Sequence, residues 1–382
     1  MLRPFLTALV GLGLIGGCAA SSDGGSTNGS DLAAATEYRL PGVSETLLIA
    51  DASGRASVVR LGDPTTVAAP VITSGPRISA GRSFRGRFWL IDEGGSLVVL
   101  DPAGGAPVKT PLGTKSPGDI EIESVQSAWI SAGAKLVHVD PSAGTTLGEI
   151  DLSSHALDGS ALTATGIERV GERLFVQLGR RKGSSEQRGA VAVIDLASAK
   201  VESVIELEVP GNGGTEIGYD PGGAMVVDTI HQKLLLTAHG FRPSNTGMVL
   251  RIDLATRKLD PWFFRSGSGF QGGLARGADP ARIFIAYHTS TPVASTHLFQ
   301  YVISESGEMV LAHSGTLLDA FEVVDDYPSN ASSTLFALPV TCPAGFCLGG
   351  KGVSFIDTKT GTPYPRFGEA AAGMSPELVL FL

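Results

Sequence analysis

Arg87–Asp101, RFWLIDEGGSLVVLD, decides how this chain is read. Phe88, Trp89, Leu90 and Ile91 form a short aromatic and branched run, and Leu97 to Leu100 form a second. Glu93-Gly94-Gly95 supplies a turn between them, because glycine reaches positive φ without a Cβ clash. Neither run alternates with polar residues. The stretch therefore reads as a β-hairpin covered on both faces and closed by an aspartate.

Variants of both runs recur along the chain. The first run returns as LLIAD (47–51), AWISA (128–132), LFVQL (174–178), LLLTAH (234–239), IFIAYH (283–288) and LFALPV (335–340). The second returns as SVVRLGDP (57–64), KLVHVDP (135–141), VAVIDL (191–196), MVLRIDL (248–254), LFQYVIS (298–304) and VSFIDT (353–358). The closing anchors are Asp63, Asp101, Asp140, Asp195, Asp253, Ser304 and Asp357, spaced 38 to 58 residues apart. Such a period marks a repeat array, and an all-β unit of about 40–50 residues suits one four-stranded blade of a propeller. The anchoring aspartate has a local cause, since its carboxylate accepts nearby backbone N–H groups and starts a turn.

Ala190–Val209, AVAVIDLASAKVESVIELEV, and Met248–Leu259, MVLRIDLATRKL, carry the pattern V-x-V-I-D-x-x-x-x-K-V most fully. In this the chain resembles the seven-bladed propellers of the YVTN and WD40-like class. The resemblance implies an all-β, seven-bladed β-propeller of four-stranded antiparallel blades over residues 36–382. It is a likeness of architecture, and that class hosts many functions.

With 43% hydrophobic residues, 18% charged residues and 50 glycines, the chain suits many short buried strands joined by tight turns. Disorder would need far less apolar content. The net charge of −9, without a basic stripe, argues against a nucleic-acid partner.

Residues 1–17, MLRPFLTALVGLGLIGG, place Arg3 before an apolar stretch that ends in small residues. This is the pattern of a secretory signal peptide, too short to span a bilayer. Ile15-Gly16-Gly17-Cys18 resembles the bacterial lipobox, in which the cysteine becomes the lipid-bearing mature N-terminus. Cys18 is thus the expected lipidation site and the membrane a partner through its acyl chains. Ala20, where an inner-membrane retention signal has Asp, favours the outer membrane. Residues 18–35, rich in Gly, Ser and Asn, read as a flexible tether with a reach of about 20 Å.

The links between first and second run change character along the chain. They are short in the first three units. They lengthen to Gly179–Ala190, Gly240–Gly247, Thr289–His297 and Thr341–Gly352 in the last four. In a propeller these links all emerge on one face, so the long ones should cluster on one side of it, where binding commonly sits. The apolar segment Glu377–Leu382 is expected to close the ring as the inner strand of the first blade. Tyr38–Leu40 is expected as an outer strand on the last.

Cys342 and Cys347 share one long link in a chain bound for an oxidising compartment, so a disulfide is expected there. His239 and His288 end the first run of units five and six, and Asp51 and Asp92 end it in units one and two. With Asp228 they are the candidate ligand or metal residues, should neighbouring blades bring them together. Glu121, Glu123, Glu168 and Glu322 fall on expected inner strands and are candidate channel acids for Ca2+, another divalent ion or a cationic ligand. Solvated carboxylates in a water-filled channel are the plainer reading. No cofactor is expected. No nucleophile elbow, P-loop, HExxH or dinucleotide fingerprint is present.

The sequence therefore points to an extracytoplasmic, lipid-anchored propeller that binds a protein or envelope component without catalysis. The alternative is a propeller enzyme, lactonase-like, hydrolytic or quinoprotein-like, with His239, His288 and Asp228 at the channel mouth.

Overall fold

The computed structural model describes residues 38–73, 75–113, 117–158, 160–182, 186–210, 216–240, 247–265, 270–277, 279–289, 295–318, 332–340 and 351–382. These residues form seven antiparallel sheets, the blades of a seven-bladed β-propeller, within the compact unit Glu37–Leu382. Numbered in chain order, blades 2, 3 and 6 each run from an inner strand outward through four consecutive strands. In blade 2 these are Ile78–Phe84, Arg87–Asp92, Ser96–Leu100 and Val108–Pro111. The stretch Arg87–Asp101 is thus the second and third strand of a blade.

Blade 1 is closed by both ends of the unit. Leu378–Phe381 pairs antiparallel with Glu45–Ala50, Leu47 opposite Phe381 and Ala50 opposite Leu378. Ala56–Leu61 and Thr66–Val67 complete the sheet. The expected ring closure is therefore present, and it hides the apolar edge that a free terminal strand would expose.

Tyr38–Leu40 behaves differently from expectation and forms no strand. Leu40 is instead buried in the cluster between blades 7 and 1, and Tyr38 donates its hydroxyl to the carbonyl of Pro365 at 2.7 Å. The outer strand of blade 7 is Phe367–Gly368. Pro363 and Pro365 precede it and Pro41 follows Leu40. The backbone of Tyr38–Leu40 is already paired with blade 1, Leu40 donating its N–H to Gly62 at 2.9 Å and Tyr38 accepting from Thr65 at 3.0 Å, so against blade 7 the segment packs through side chains.

The apolar residues gather between sheets. Blades 2 and 3 enclose Trp89, Ile91, Ile120 and Ile130, and blades 3 and 4 enclose Trp129, Leu136, Ile167 and Val176. Both faces of each strand pair are buried because each blade packs against two neighbours, which explains the absence of polar alternation.

The anchoring aspartates act as read from the sequence. Asp140 accepts the N–H groups of Ser142 and Ala143 at 2.9 and 3.0 Å, and Asp357 accepts those of Lys359 and Thr360 at 2.8 Å. Asp195 and Asp253 do the same with Ser198 and with Ala255 and Thr256. Asp63 instead pairs with Arg39 at 2.8 Å.

In the sequence the inner strands of blades 3 to 6 read as Ile120–Val125, Ile167–Val170, Ala224–Thr229 and Gly273–Ala278, and in the structure each begins earlier. Blades 3 to 6 start at Pro117, Ala161, Glu216 and Phe270. Each carries a register shift near its start: between Pro117 and Ile120, Ala164 and Ile167, Pro221 and Met225, and Gln271 and Leu274. A bulge breaks the two-residue period by which a strand is recognised.

Candidate functional site

Two regions of the propeller concentrate polar groups: a raised rim on blades 4 to 6 and the inner edge of blades 2 to 4.

The rim arises from strand length. The second strand of blades 1, 2 and 3 has 6 residues. In blade 4 it is Arg173–Lys182 with 10, and in blades 5 and 6 it is Lys233–Gly240 and Arg282–Thr289 with 8 each. The added length lies at the end that bears the long links. In blade 4 Arg181 and Lys182 pair beyond the main sheet with Gln187 and Glu186, and in blade 6 Thr289 pairs with Ser295. Three consecutive blades thus stand higher on one face. The corresponding link of blade 7, with Cys342 and Cys347, lies outside the described residues, as do Cys18 and the segment 1–37.

The root of the blade 4 rim is fixed by Arg180, which is buried. Its guanidinium donates to the carbonyls of Arg188 at 2.6 Å and Gly189 at 3.3 Å and pairs with the Glu206 carboxylate. Gly189 in turn donates its N–H to Tyr219 of blade 5 at 2.7 Å. A Cβ at position 189 would lie 2.3 Å from that same carbonyl oxygen, so only glycine permits the approach.

At the inner edge the bulges free peptide groups, and the second strand of the preceding blade answers them. Ser131 accepts the N–H of Asp119 at 2.8 Å and donates to Thr165 of blade 4 at 2.7 Å. Gln177 accepts from Gly223 of blade 5 at 2.9 Å and donates to Ala224 at 3.3 Å. Thr237 is the next position in this series, opposite the blade 5 bulge. It is buried, and its hydroxyl has no hydrogen-bond partner among the described residues.

The charged groups interlock across blades 2, 3 and 4. Arg82 donates to the carbonyls of Ile120 at 2.5 Å and Ile167 at 3.1 Å and faces the Asp119 carboxylate at 3.2 Å. Asp119 also accepts the N–H of Ile167 at 2.9 Å. Glu121 and Glu123 are brought to this edge, each near an arginine of a neighbouring blade: Arg82 at 4.0 Å and Arg169 at 3.6 Å. Burial pushes the Glu121 carboxyl above its ordinary range. The charges of Asp119 and Glu123 add to the effect, and Arg82 and Arg169 oppose it. Glu168 sits opposite Phe175, whose ring packs toward blade 5, so it lies on the other face of blade 4. Glu322 lies outside the described residues. Among the described residues no group of three or more His, Cys, Asp or Glu side chains assembles as a metal-ligand set.

The remaining candidates do not share one site. Asp51 is buried and accepts from the backbone N–H groups of Ser53 and Arg55, the Ser53 hydroxyl and the Arg55 guanidinium. Burial raises its pKa, but these bonds outweigh it and hold the carboxyl below its ordinary range. Asp92 is buried and accepts the N–H of Ser96 at 2.9 Å. Both therefore organise turns. His239 and His288 stand one residue before the rim ends of the second strands of blades 5 and 6, opposite Asp220 and Phe270. Asp228 ends the inner strand of blade 5 at the opposite face. Asp228 is level with Lys233, and six residues of strand, about 3.3 Å each, separate that level from His239. There it accepts the N–H groups of Ile230 and His231 and holds the His231 imidazole at 2.7 Å.

Arg82, Asp119, Ser127, His138, Arg169 and His231 escaped the reading of the sequence. The recurrence of glycine just before the acids in GDIE (118–121) and GIE (166–168) is the one local signal at the inner edge.

No family model matches the sequence, and no curated protein matches it. Solved structures do match the fold. A candidate 6-phosphogluconolactonase from Bacteroides fragilis superposes with a TM-score of 0.57 at 9% identity, covering 89% of this chain and 98% of its own. Hydrazine synthase of Kuenenia stuttgartiensis gives 0.56 at 12% identity, over 74% of this chain and 77% of its own. The β-propeller domain of Myceliophthora thermophila Cps50 (Swd1) gives 0.52 at 12% identity, over 76% and 86%. The chain is a seven-bladed β-propeller of the architecture these proteins share. At such identities the likeness extends to the fold alone, since one scaffold carries many unrelated activities.

Proposed function

We propose that the protein is a lipid-anchored, extracytoplasmic binding module that engages a protein or envelope component through the rim of blades 4 to 6, without catalysis. The carrying observation is the lengthening of the second strand in three successive blades at one end only. Random loop growth would lengthen the links and leave the strands unchanged. A continuous raised rim on a rigid scaffold is the arrangement in which loops present a binding surface. The inner-edge residues support the same reading, because Arg82, Asp119, Glu123 and Arg169 hold blades together and Asp51 and Asp92 hold turns. Cys18 and the short apolar leader supply the anchor in this reading.

The test is crosslinking in the native envelope with the intact chain and with variants in which residues 181–187 or 240–246 are replaced by a short Gly-Asn turn, leaving Arg180 in place. Loss of a crosslinked product in the trimmed variants supports the proposal. An unchanged set of products in both overturns the binding surface. Recovery of the Cys18→Ala chain in the membrane fraction, equal to the parent, overturns the anchor.

A further inference from the structure

Among the described residues, six of the seven blades end on an outer strand that resists pairing with another chain. Blades 1 and 7 end on two residues each, Thr66–Val67 and Phe367–Gly368. The longer outer strands carry charge or proline: Lys109 and Pro111 in blade 2, Glu149 in blade 3, Glu202 in blade 4 and Pro261 in blade 5. Shortness, charge and proline keep a sheet edge from templating a foreign strand. Blade 6 has none of them. Its outer strand, Met309–Leu318 (MVLAHSGTLL), is the longest of the set at 10 residues and holds no acid, lysine, arginine or proline. It is the last strand of its sheet, so one row of its N–H and C=O groups faces away from the ladder. Bulges do not set it apart, because register shifts bend the outer strands of blades 3, 4 and 5 as well. Val310 and Leu311 are 55% and 47% exposed, the one consecutive pair among the exposed large hydrophobics of the described residues. Neighbours in a strand point to opposite faces, so apolar surface flanks the edge on both sides.

We propose that the outer strand of blade 6 is a docking edge for an extended segment of a partner protein, which adds to the blade as a fifth strand. The backbone row supplies affinity with little regard to sequence, and Val310 and Leu311 select apolar or β-branched side chains. Glu305 and Glu308 are exposed in the turn that leads into the strand, so a basic residue at one end of the segment suits it. A second copy of this chain fits poorly. The perimeter of a propeller curves away on both sides of the edge, so two copies would touch along this strand alone. At about 3.3 Å per residue and a width of about 10 Å, that contact covers roughly 300 Å² on each copy, against about 800 Å² per partner in a stable interface. A charge of −9 on each copy adds repulsion. An extended segment escapes both penalties, since it follows the edge and brings its own charge. The edge lies on the perimeter and needs nothing from the links of blades 4 to 6, so it is a surface separate from the rim.

The probe is a fluorescein-labelled peptide of alternating threonine and valine with a lysine at each end, titrated into the full chain and followed by anisotropy and hydrogen exchange. Binding should slow exchange at amides of residues 309–312 and leave those of 145–151, on the blade 3 edge, unchanged. The double variant Val310→Lys with Leu311→Lys should bind about tenfold more weakly, through loss of two cross-strand pairs and repulsion of the peptide's lysines. Both sites are exposed, so this variant should keep the parent's melting temperature. Leu147→Lys, at an exposed site on the blade 3 edge, should bind like the parent. The same peptide with its central nitrogens methylated has no N–H to donate and should not bind the parent. Chains trimmed at 181–187 or 240–246 should bind the peptide as the parent does, which separates this edge from the rim. No binding at about 1 mM peptide, a Kd that marks only about 4 kcal/mol, overturns the proposal. So does equal binding by the methylated peptide or by the double variant, or protection confined to residues outside 309–318. A dimer of the parent, seen by sedimentation and abolished in the double variant, gives the edge to a second copy and overturns it too.

Discussion

The guanidinium of Arg82, in blade 2, reaches the carbonyl oxygen of Ile167, in blade 4, at 3.1 Å. It passes over the inner strand of blade 3, where it also meets Asp119 and the carbonyl of Ile120. One side chain therefore joins three blades. Charged hydrogen bonds of this kind contribute about 1.5–3 kcal/mol each, and their loss leaves Asp119 without its cationic partner. Arg82→Ala should lower the stability measured by urea unfolding by about 2–4 kcal/mol. Arg82→Lys should recover little, because an ammonium cannot reproduce the planar fork.

Thr237 and Ser131 occupy equivalent positions with opposite outcomes. Ser131 satisfies two backbone groups, and Thr237 buries a hydroxyl without a partner among the described residues. Ser131→Ala should destabilise by about 1–3 kcal/mol, the cost of the stranded groups. Thr237→Val keeps the shape and removes the hydroxyl, and should be neutral or stabilising by about 1 kcal/mol. Thermal unfolding of the two variants side by side distinguishes them.

Leu380 closes the ring against blade 2, in the cluster with Leu48, Phe88 and Leu90. Leu380→Ala should cost about 2–5 kcal/mol. Deletion of residues 378–382 removes the inner strand of blade 1 altogether. That chain should be cut by protease in blade 1 under conditions where the parent is resistant. Equal resistance would contradict the closure.

Asp253 is held well below its ordinary pKa, first by Lys233 and then by the N–H and hydroxyl of Thr256. A carboxyl lower in the folded than in the unfolded chain adds stability above the unfolded value. That stability is lost as pH falls through the folded value. Asp253→Asn should therefore reduce the melting temperature at pH 7 and flatten its decline below about pH 4. The effect should be modest, since the pair is near the surface and screened.

The all-β class, the seven units and their closing aspartates were legible because each depends on local chemistry. A run such as FWLI or LLLTAH between turn residues is a strand wherever it stands, and Asp140 and Asp357 cap turns formed by their own neighbours. Ring closure by Glu377–Leu382 was legible for a similar reason, since so apolar an end must be covered. Contacts between blades were not legible. Arg82 and Ile167 lie 85 positions apart in the chain. Nothing in either neighbourhood encodes the other, and the bulges that turn the inner strands also erase their period. For the same reason Asp228 read as a partner for His239 and His288, yet stands at the other end of its blade. Sequence settles which segments become strands, because a strand is a local preference plus a need for cover. Which side chains meet around the channel is settled only when seven twisted sheets pack into one ring, because that packing alone sets the distances between them.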